Sequence, residues 1–301
     1  MIELTDVCKS YGKTAALTGA TATVPTGCVF GVVGINGAGK STLLRLMAGV
    51  LQADSGRIAY DGEDVFENER VKRGIFFLPD EPYYGGNTTG KQLASLYSAY
   101  YPFSHETYKR WRDFFSLDDK TPLRNFSKGM KRQMFLSLAL ASQPKYLLLD
   151  EAFDGLDPGA RLAFKRALIE MSDGTGCTAI IASHSLRELS DICTHFALIS
   201  EGKTVCGGDL NENLQSVHKL QAAFPRAITR KDIPFDVLNC DVSGRVATII
   251  VQGDVAEARA KLQALSPLFV EEIPVDFEEF FLIKTQYNAG REQISGGRDS
   301  S

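Results

Sequence analysis

The sequence predicts an α/β fold, in which a mostly parallel β-sheet carries helices on both faces and a smaller α/β unit follows. Three observations lead to this prediction. Apolar runs of strand length alternate with segments of helical spacing, as in proteins built on parallel sheets. A glycine-rich segment at residues 34–42 lies between one of these strands and a helical pattern. After about residue 215 the character of the sequence changes to a separate set of short elements.

The composition of this 301-residue chain is that of a globular protein with about two domains. The 33 Lys and Arg residues against 37 Asp and Glu residues give a net charge of −4, so we expect no overall attraction to nucleic acid. No apolar run approaches the roughly 18 residues of a membrane helix, and no signal peptide is expected. The six cysteines form no Cys-x-x-Cys pair, which predicts free thiols in a reducing compartment.

The elements of the first half follow from local patterns. Residues 2–8 alternate apolar and polar side chains, as in an edge strand, whereas residues 29–33 are continuously apolar, as in a buried strand. Apolar residues at helical spacing in 43–47 follow the glycine-rich segment. Residues 55–62 form a strand that ends in an Asp-Gly turn, and residues 75–78 form a buried strand closed by a proline.

From about residue 88 to 142, aromatic and aliphatic residues at helical spacing predict a helical insertion. Apolar strands return at residues 146–149, 178–183 and 195–199, with helices between them. We therefore assign residues 1–215 to one domain.

Residues 216–286 are predicted to form a small α/β accessory domain. Its patterns indicate, in order, a strand, a helix, a strand and a short amphipathic helix, at residues 246–251, 254–265, 269–273 and 277–283. The tail at 287–301 is rich in Gly, Ser and charge, so we expect it to be disordered.

The glycine-rich segment matches the pattern G-x-x-x-x-G-K-[ST] and stands where that pattern binds phosphate, after a strand and at the start of a helix. Glycines let the backbone approach a polyphosphate, and the N–H groups at the helix N-terminus then point at the anion. The alternative is a glycine-rich turn with a surface lysine. The predicted nucleotide-binding residues are Gly34, Asn36, Gly37, Gly39, Lys40, Ser41 and Thr42. Lys40 is expected to contact the β- and γ-phosphates of ATP, and Ser41 to ligate Mg²⁺.

Two carboxylates, Asp150 and Glu151, follow the apolar strand at 146–149. At the end of a parallel strand, Asp150 is placed to hold Mg²⁺, and Glu151 is placed to take a proton from the attacking water. The alternative is a strand followed by an acidic solvated turn. His184 follows the strand at 178–183, so it faces the same edge of the sheet and is a second catalytic candidate. A lone histidine with a structural role is its alternative.

Together these segments resemble ATP-binding-cassette (ABC) ATPases. The phosphate loop, the segment Asn125 to Arg132, the pair Asp150-Glu151, the segment Gly155-Leu156-Asp157 and His184 occur in the family's order. The resemblance covers about residues 1–215. It implies a P-loop NTPase (RecA-like) ABC ATPase core with an antiparallel β subdomain and a helical subdomain.

In this family two cassettes enclose two ATP molecules, and the signature segment of one subunit contacts ATP on the other. By resemblance, Ser127 and Gly129 are expected to bind the γ-phosphate of the partner's ATP. Tyr11 matches the aromatic residue that stacks on adenine, with a packed tyrosine as the alternative. Asp157 matches the loop at the dimer interface. The second cassette is expected to be another copy of this chain, which would give a homodimer. A heterodimer with a sister chain is the alternative.

The sequence departs from the family pattern at three places. Asp80 stands where the family has a glutamine that senses Mg²⁺ and water, so Asp80 is a candidate metal ligand whose coupling role is in doubt. Lys128 replaces a glycine of the signature segment and adds a positive charge. Asp154 stands where the interface loop has serine.

The resemblance further implies that the chain powers transport through a separate membrane-spanning subunit, and that it lies in the cytoplasm on the inner face of the cell membrane. The segment around Pro82, Tyr83, Tyr84 and Asn87 is the predicted docking surface, although an ordinary helical core also accounts for the neighbouring aromatics. The ending at residues 274–280 resembles export-type cassettes, which favours export over import.

Two other functions fit parts of this sequence. One is an ABC-type ATPase that is not coupled to a transporter, as in DNA repair, translation or assembly. The other is a kinase that uses the same phosphate loop, against which Asp150, Glu151 and His184 argue. Release of phosphate from ATP without an acceptor separates the kinase from the ATPase.

Overall fold

The structure is a computed structural model of the chain, and it describes residues 1–233 and 235–285. Within these residues the chain forms two compact units that divide between Gly208 and Asp209. The sequence-based boundary lies seven residues later, because the short helix that opens the second unit carries no strong pattern. The predicted tail at 287–301 lies outside the described residues, as does residue 286.

The strands have the following bounds in chain order: β1 (Ile2–Tyr11), β2 (Thr14–Val24), β3 (Val29–Val33), β4 (Ser55–Tyr60), β5 (Glu63–Asp64), β6 (Ile75–Leu78), β7 (Tyr146–Asp150), β8 (Thr178–Ser183), β9 (His195–Ser200), β10 (Lys203–Asp209), β11 (Val217–Ala223), β12 (Asn239–Ser243), β13 (Val246–Gln252) and β14 (Phe269–Ile273). The α-helices are α1 (Lys40–Met47), α2 (Glu69–Lys72), α3 (Gly90–Ser98), α4 (His105–Phe114), α5 (Lys128–Ala141), α6 (Pro158–Thr175), α7 (Leu186–Leu189), α8 (Leu210–Gln215), α9 (Val255–Gln263) and α10 (residues 277–285).

The first unit is built on a six-stranded sheet with the order β10-β9-β3-β8-β7-β6. The pairs that join β9, β3, β8, β7 and β6 are all parallel, as predicted. Every residue of β3, β7 and β8 is buried, so both faces of the central strands are covered. This burial explains why these strands read as continuous apolar runs in the sequence rather than as alternating ones.

One face of this sheet packs on α1 and on a second, antiparallel sheet. The second sheet has the order β2-β1-β4-β5 and forms the predicted antiparallel subdomain. Their shared core contains alternate residues of the central strands, such as Phe30 and Val32 of β3, together with Leu43 and Leu44 of α1. The phosphate loop therefore leads from a fully buried strand into a fully anchored helix.

The predicted helical subdomain lies between β6 and β7 and contains α3, α4 and α5. Each helix begins at a side chain that caps it. Thr89 forms a capping box with Gln92, Ser104 accepts from the Thr107 amide, and Ser127 accepts from the Met130 amide. From Met134 to Ala141 every residue of α5 is buried, which holds this helix firmly in the first unit.

The second unit is an α/β structure on a four-stranded antiparallel sheet with the order β12-β13-β11-β14. Its core joins Leu220 and Ile249 of the sheet to Ala258 and Leu262 of α9. The sequence analysis found β13, α9, β14 and α10 but missed α8, β11 and β12. Strand β11 carries polar residues among its buried ones, and β12 contains no buried residue, so no continuous apolar run marks either strand.

Candidate active site

The phosphate loop connects β3 to α1 at the carboxyl end of the central sheet. Gly39 is the N-cap of α1 and has a left-handed backbone with φ of +105°. A Cβ atom at this position would lie 2.5 Å from the carbonyl oxygen of Ala16. Glycine is therefore required here both by conformation and by space. The consequence is a tight glycine turn at the N-terminus of α1, the kind of segment at which backbone N–H groups bind anions.

Lys40 is the first residue of α1 and is only 6% exposed. Its Nζ atom donates to the carbonyl oxygens of Gly34 at 2.7 Å and Ile35 at 3.2 Å, so it lies inside the loop. Burial lowers the pKa of Lys40, and the nearby carboxylates of Glu151 and Asp150 oppose that shift. A buried ammonium group held by a phosphate-binding loop supplies positive charge where the phosphates of a nucleotide bind.

Asp150, the last residue of β7, is 1% exposed, and burial raises its pKa. The Ser41 side chain forms a hydrogen bond to this carboxyl group, which lowers the pKa and partly offsets the effect of burial. The Oδ1 atom of Asp150 is buried without a hydrogen-bond partner. Hydroxyl and carboxylate oxygens are the donors that Mg²⁺ prefers, and an unpartnered buried oxygen is costly on its own. Ser41 and Asp150 therefore fit a magnesium ion.

Glu151 and His184 come together above the ends of β7 and β8. The His184 Nδ1 atom lies 3.0 Å from Glu151 Oε2, and Glu151 Oε1 lies 3.8 Å from Lys40 Nζ. Glu151 has φ of +48°, a left-handed conformation that is rare for residues other than glycine. The amide of Glu151 donates to the carbonyl of Ala182 on the neighbouring strand, which secures this turn. The strained backbone thus holds the carboxylate between a cation and a histidine.

A hydrogen-bond network behind His184, which the sequence analysis missed, supports its loop. Ser183 Oγ donates to Glu188 Oε2 at 3.1 Å and accepts from the Ser185 amide at 3.0 Å. The other carboxylate oxygen of Glu188 lies 3.6 Å from the Arg161 guanidinium, which donates to the Leu156 carbonyl. The network connects the turn before Asp157 to the residues that flank His184. No motif in the sequence distinguishes Glu188, whose burial and contacts are evident only in the structure.

Ser127 and Gly129 begin α5 and lie against the turn that follows Glu151. A Cβ atom on Gly129 would come within 2.7 Å of the Gly155 carbonyl oxygen, so glycine is required for this close approach. Ser127 and Lys128 are exposed at the N-terminus of α5. Because a helix N-terminus attracts anions, this end of α5 has the chemistry to bind phosphate. In this chain it lies beside the turn that follows Glu151, close to Gly155.

The remaining predicted residues differ in their exposure and in their partners. Tyr11 ends β1 with its ring half exposed, and Asn36 is exposed in the phosphate loop. Thr42 is buried in α1. The Asp80 carboxylate forms an ion pair with Arg132 at 2.8 Å, a partner that sequence analysis did not identify. Asp80 also raises the pKa of Asp150 through its negative charge, so it lies near the candidate metal ligands.

Among the described residues, none of the helices combines the length and the apolar character needed to cross a membrane.

A family model described as ABC transporter matches residues 17–154 of this chain. The chain is 29% identical to the ABC transporter ATP-binding protein YtrB of Bacillus subtilis, over 94% of this chain and 98% of that protein. It is 30% identical to the Nod factor export ATP-binding protein I of Sinorhizobium fredii, over 93% of this chain and 84% of that protein. A solved ATP-binding subunit of an ABC transporter superposes with a TM-score of 0.65 at 26% identity, over 71% of this chain and 92% of that one.

The matched region contains the phosphate loop, the signature segment and both carboxylates described above. Similarity to the two relatives extends through nearly the whole chain, including the second unit. The chain therefore belongs to the ABC transporter family and is an ATP-binding, ATP-hydrolysing subunit of such a transporter.

Proposed function

We propose that this subunit hydrolyses Mg²⁺-bound ATP between two cassettes and uses the reaction to drive export through a separate membrane-spanning subunit. The observation that carries the catalytic part is the position of the Glu151 carboxylate, 3.8 Å from Lys40 Nζ and 3.0 Å from His184 Nδ1. A carboxylate between a phosphate-binding cation and a histidine has the geometry of a general base at a phosphoryl site.

Binding begins at the phosphate loop, where the backbone amides and the N-terminus of α1 attract the phosphates. The Lys40 ammonium exchanges the Gly34 and Ile35 carbonyls for phosphate oxygens, which are stronger acceptors because they are charged. Ser41 and Asp150 would hold the magnesium ion, as their chemistry fits. Mg²⁺, when bound, neutralises phosphate charge during the transfer. The Tyr11 ring stacks on adenine.

In the chemical step, Glu151 accepts a proton from the attacking water as the water oxygen bonds to the γ-phosphorus. The bond between the γ-phosphorus and the oxygen that bridges to the β-phosphate breaks, and that oxygen stays with ADP. His184 orients Glu151 through the 3.0 Å contact and reaches the γ-phosphate from the end of β8. The left-handed backbone of Glu151 keeps its carboxylate in this place.

A second cassette completes the site. Ser127 is exposed, Gly129 is half-buried, and both stand at a helix N-terminus, so they have the chemistry to bind the γ-phosphate of ATP on the partner. The contact between Gly129 and Gly155 joins this end of α5 to the turn that leads to Asp157. ATP then stabilises the closed dimer, and hydrolysis releases it.

The membrane subunit docks on an aromatic surface of the first unit. Tyr83 is 95% exposed, and Tyr100 and Leu96 line an open cavity of about 550 Å³ together with Lys72 and Arg73. Leu96 and Tyr100 are both exposed at this cavity, and large exposed apolar side chains on one surface are typical of an interaction site. This docking places the chain on the cytoplasmic face of the membrane. Export is favoured by the relative named for Nod factor export.

The catalytic proposal is tested with Glu151→Gln and with Asp173→Asn as a matched control on an exposed part of α6. Phosphate release from ATP should fall by roughly 10²- to 10⁴-fold in Glu151→Gln, because the general base is lost, while ATP affinity is retained. Asp173→Asn should behave like the wild type. Hydrolysis by Glu151→Gln at the wild-type rate would show that another group activates the water.

The docking proposal is tested by gentle solubilisation of membranes and co-purification with the tagged chain. The double variant Tyr83→Ser/Tyr100→Ser should lose a multi-span membrane protein that the wild type retains, with unchanged ATP hydrolysis. Leu268→Ser, an exposed apolar residue of the second unit, is the control. Recovery of the wild type without any membrane protein would favour an ATPase that is not coupled to a transporter.

A further inference from the structure

The buried guanidinium of Arg132 connects the ends of two neighbouring strands. Its Nη1 atom donates to the carbonyl oxygen of Pro79 at 3.2 Å and approaches that of Asp150 at 3.5 Å. Its Nη2 atom donates to the carbonyl oxygen of Asp80 and to Asp80 Oδ1, both at 2.8 Å. Arg132 is 4% exposed, so the guanidinium itself is shielded from water. The ends of β6 and β7 are thus held by one side chain.

The same residue belongs to the helix that carries the signature segment. Ser127 caps α5, Gly129 lies in its first turn, and Arg132 follows within the second turn. From Met134 to Ala141 every residue of the helix is buried, so packing fixes this part of α5 in the first unit. Arg132 therefore joins two parts of the active site, namely the end of α5 that contacts the partner's ATP and the strand that ends in Asp150.

Asp80 neutralises Arg132. An arginine stays protonated at any pH at which the protein is folded, so a buried guanidinium needs an anionic partner. Asp80 Oδ1 supplies this charge, and its side chain is 45% exposed. A carboxylate that is committed to a cation is a weaker ligand for Mg²⁺, because the adjacent positive charge repels a second cation. The ion pair and a direct metal bond are therefore competing roles for Asp80.

The pair also reaches the end of β7, because the Nη1 atom of Arg132 lies 3.5 Å from the carbonyl oxygen of Asp150. Loss of Asp80 leaves the guanidinium without its counter-charge, so the side chain that connects the two strand ends is no longer fixed in place.

We propose that Arg132 and Asp80 form a positioning pair, which fixes the Asp150 end of β7 relative to the helix of Ser127, and that Asp80 acts through this pair and not as a metal ligand. The inference rests on the proposed roles of Asp150 and Ser127. It assigns a function to the aspartate that replaces the family's glutamine, and it connects the two halves of the composite site within one chain.

A double-mutant cycle tests the pair, with Asp80→Asn, Arg132→Gln and the double variant in the full chain. The steady-state rate at saturating ATP should fall about 5- to 10-fold in each single variant, and the double variant should be no slower than the slower single one, because both remove the same interaction. The exposed pair of Glu257 and Lys261 on α9 is the matched control, and its cycle should leave the rate unchanged.

Binding of Mn²⁺ in the presence of ADP, measured by electron paramagnetic resonance, separates the pair from a metal ligand without relying on activity. Asp80→Asn should change the Mn²⁺ dissociation constant by less than about threefold, since Asp80 does not bind the ion. A tenfold weaker affinity that persists in the Arg132→Gln background would overturn the proposal and make Asp80 a ligand. Multiplicative losses of rate in the cycle would also overturn it.

Asp80→Glu is the rescue variant, because it preserves the charge and reaches the same guanidinium. It should recover at least half of the wild-type rate, whereas a purely steric role for Asp80 predicts the opposite order, because Asn keeps the size of the side chain and Glu does not. If Arg132→Gln fails to fold, the contrast between Asp80→Glu and Asp80→Asn still decides the proposal. Glu151→Gln in the same assays identifies a failure of the general mechanism: if it hydrolyses ATP normally, the proposed function is wrong, independently of this pair.

Discussion

Lys40 and Arg132 are two buried cations at the same edge of the central sheet, yet they serve opposite purposes. Lys40 donates to carbonyls of its own loop, and burial lowers its pKa. A bound phosphate would therefore stabilise the charged form of Lys40. Arg132 already has carbonyl acceptors and a carboxylate. A cation that is incompletely satisfied by the protein is available for a ligand, and a cation that is fully satisfied stabilises the fold.

Lys40→Met removes the cation that is available for a ligand, and its effect on ATP binding should be the largest of the expected effects. Loss of charge-assisted hydrogen bonds to phosphate should weaken ATP binding about 10- to 100-fold, as measured by isothermal titration calorimetry. The free energy of unfolding without nucleotide should change by no more than about 1 kcal/mol, because the buried ammonium is poorly solvated. Unchanged ATP affinity would mean that the loop binds phosphate without this lysine.

Arg132→Met should show the reverse pattern. Removal of the guanidinium leaves Asp80 and several carbonyls without their donor, so the free energy of unfolding should fall by about 2 kcal/mol, reduced from the value for a fully buried pair because Asp80 is partly exposed. Binding of ATP without metal should change less than about threefold. Urea unfolding and calorimetry on the same samples check both values, and a larger loss of affinity than of stability would contradict the comparison.

Gly129→Ala sharpens the comparison at the start of α5. The added methyl group would meet the Gly155 carbonyl oxygen at 2.7 Å, so the two segments must separate, at a cost of about 1–2 kcal/mol in urea unfolding. Gly174→Ala is the matched control, since nothing lies within 4 Å of its Cβ and α6 should gain about 0.5 kcal/mol. Equal stability of the two variants would argue that Gly155 moves aside freely.

The surroundings of Lys40 could be predicted from the sequence, whereas those of Arg132 could not. The phosphate loop is one continuous segment, and so is the pair Asp150-Glu151. Short sequence patterns identified both, because the residues of each motif are neighbours along the chain. The contact between Arg132 and Asp80 spans 52 positions and involves backbone carbonyls, which carry no sequence signal. Strand β11 was missed for a related reason, because its Lys219 pairs with Glu279 and interrupts the apolar pattern.

Glu188→Gln tests a smaller effect on the loop of His184. The neutral amide weakens the contact to Arg161 and keeps one acceptor for Ser183, so the rate at saturating ATP should fall about three- to tenfold with little change in KM. Glu170→Gln on an exposed position of α6 is the control. A change in KM alone would indicate that the network acts on binding and not on the position of His184.

The smallest effect is expected at an exposed ion pair far from the phosphate loop. Lys145, the N-terminal ammonium and the Tyr146 hydroxyl hold the pKa of Asp61 below its ordinary value of 3.8. Asp61 therefore stabilises the fold above that value, and this contribution is lost as the pH falls through the lower pKa of the folded state. Asp61→Asn should lower the free energy of unfolding by about 0.5–1 kcal/mol at pH 7, and the difference should shrink toward pH 2. A difference that grows on acidification would contradict this assignment.

The central claim is that the Glu151 base and the signature segment of a second molecule act on one ATP, and light scattering of Glu151→Gln tests it most directly. The slow variant should be a monomer without nucleotide and a dimer with Mg²⁺ and ATP, and addition of Ser127→Arg to the same chain should abolish the dimer while ATP binding remains. If Glu151→Gln binds ATP and stays monomeric at every protein concentration tested, the composite site proposed for this transporter subunit is wrong.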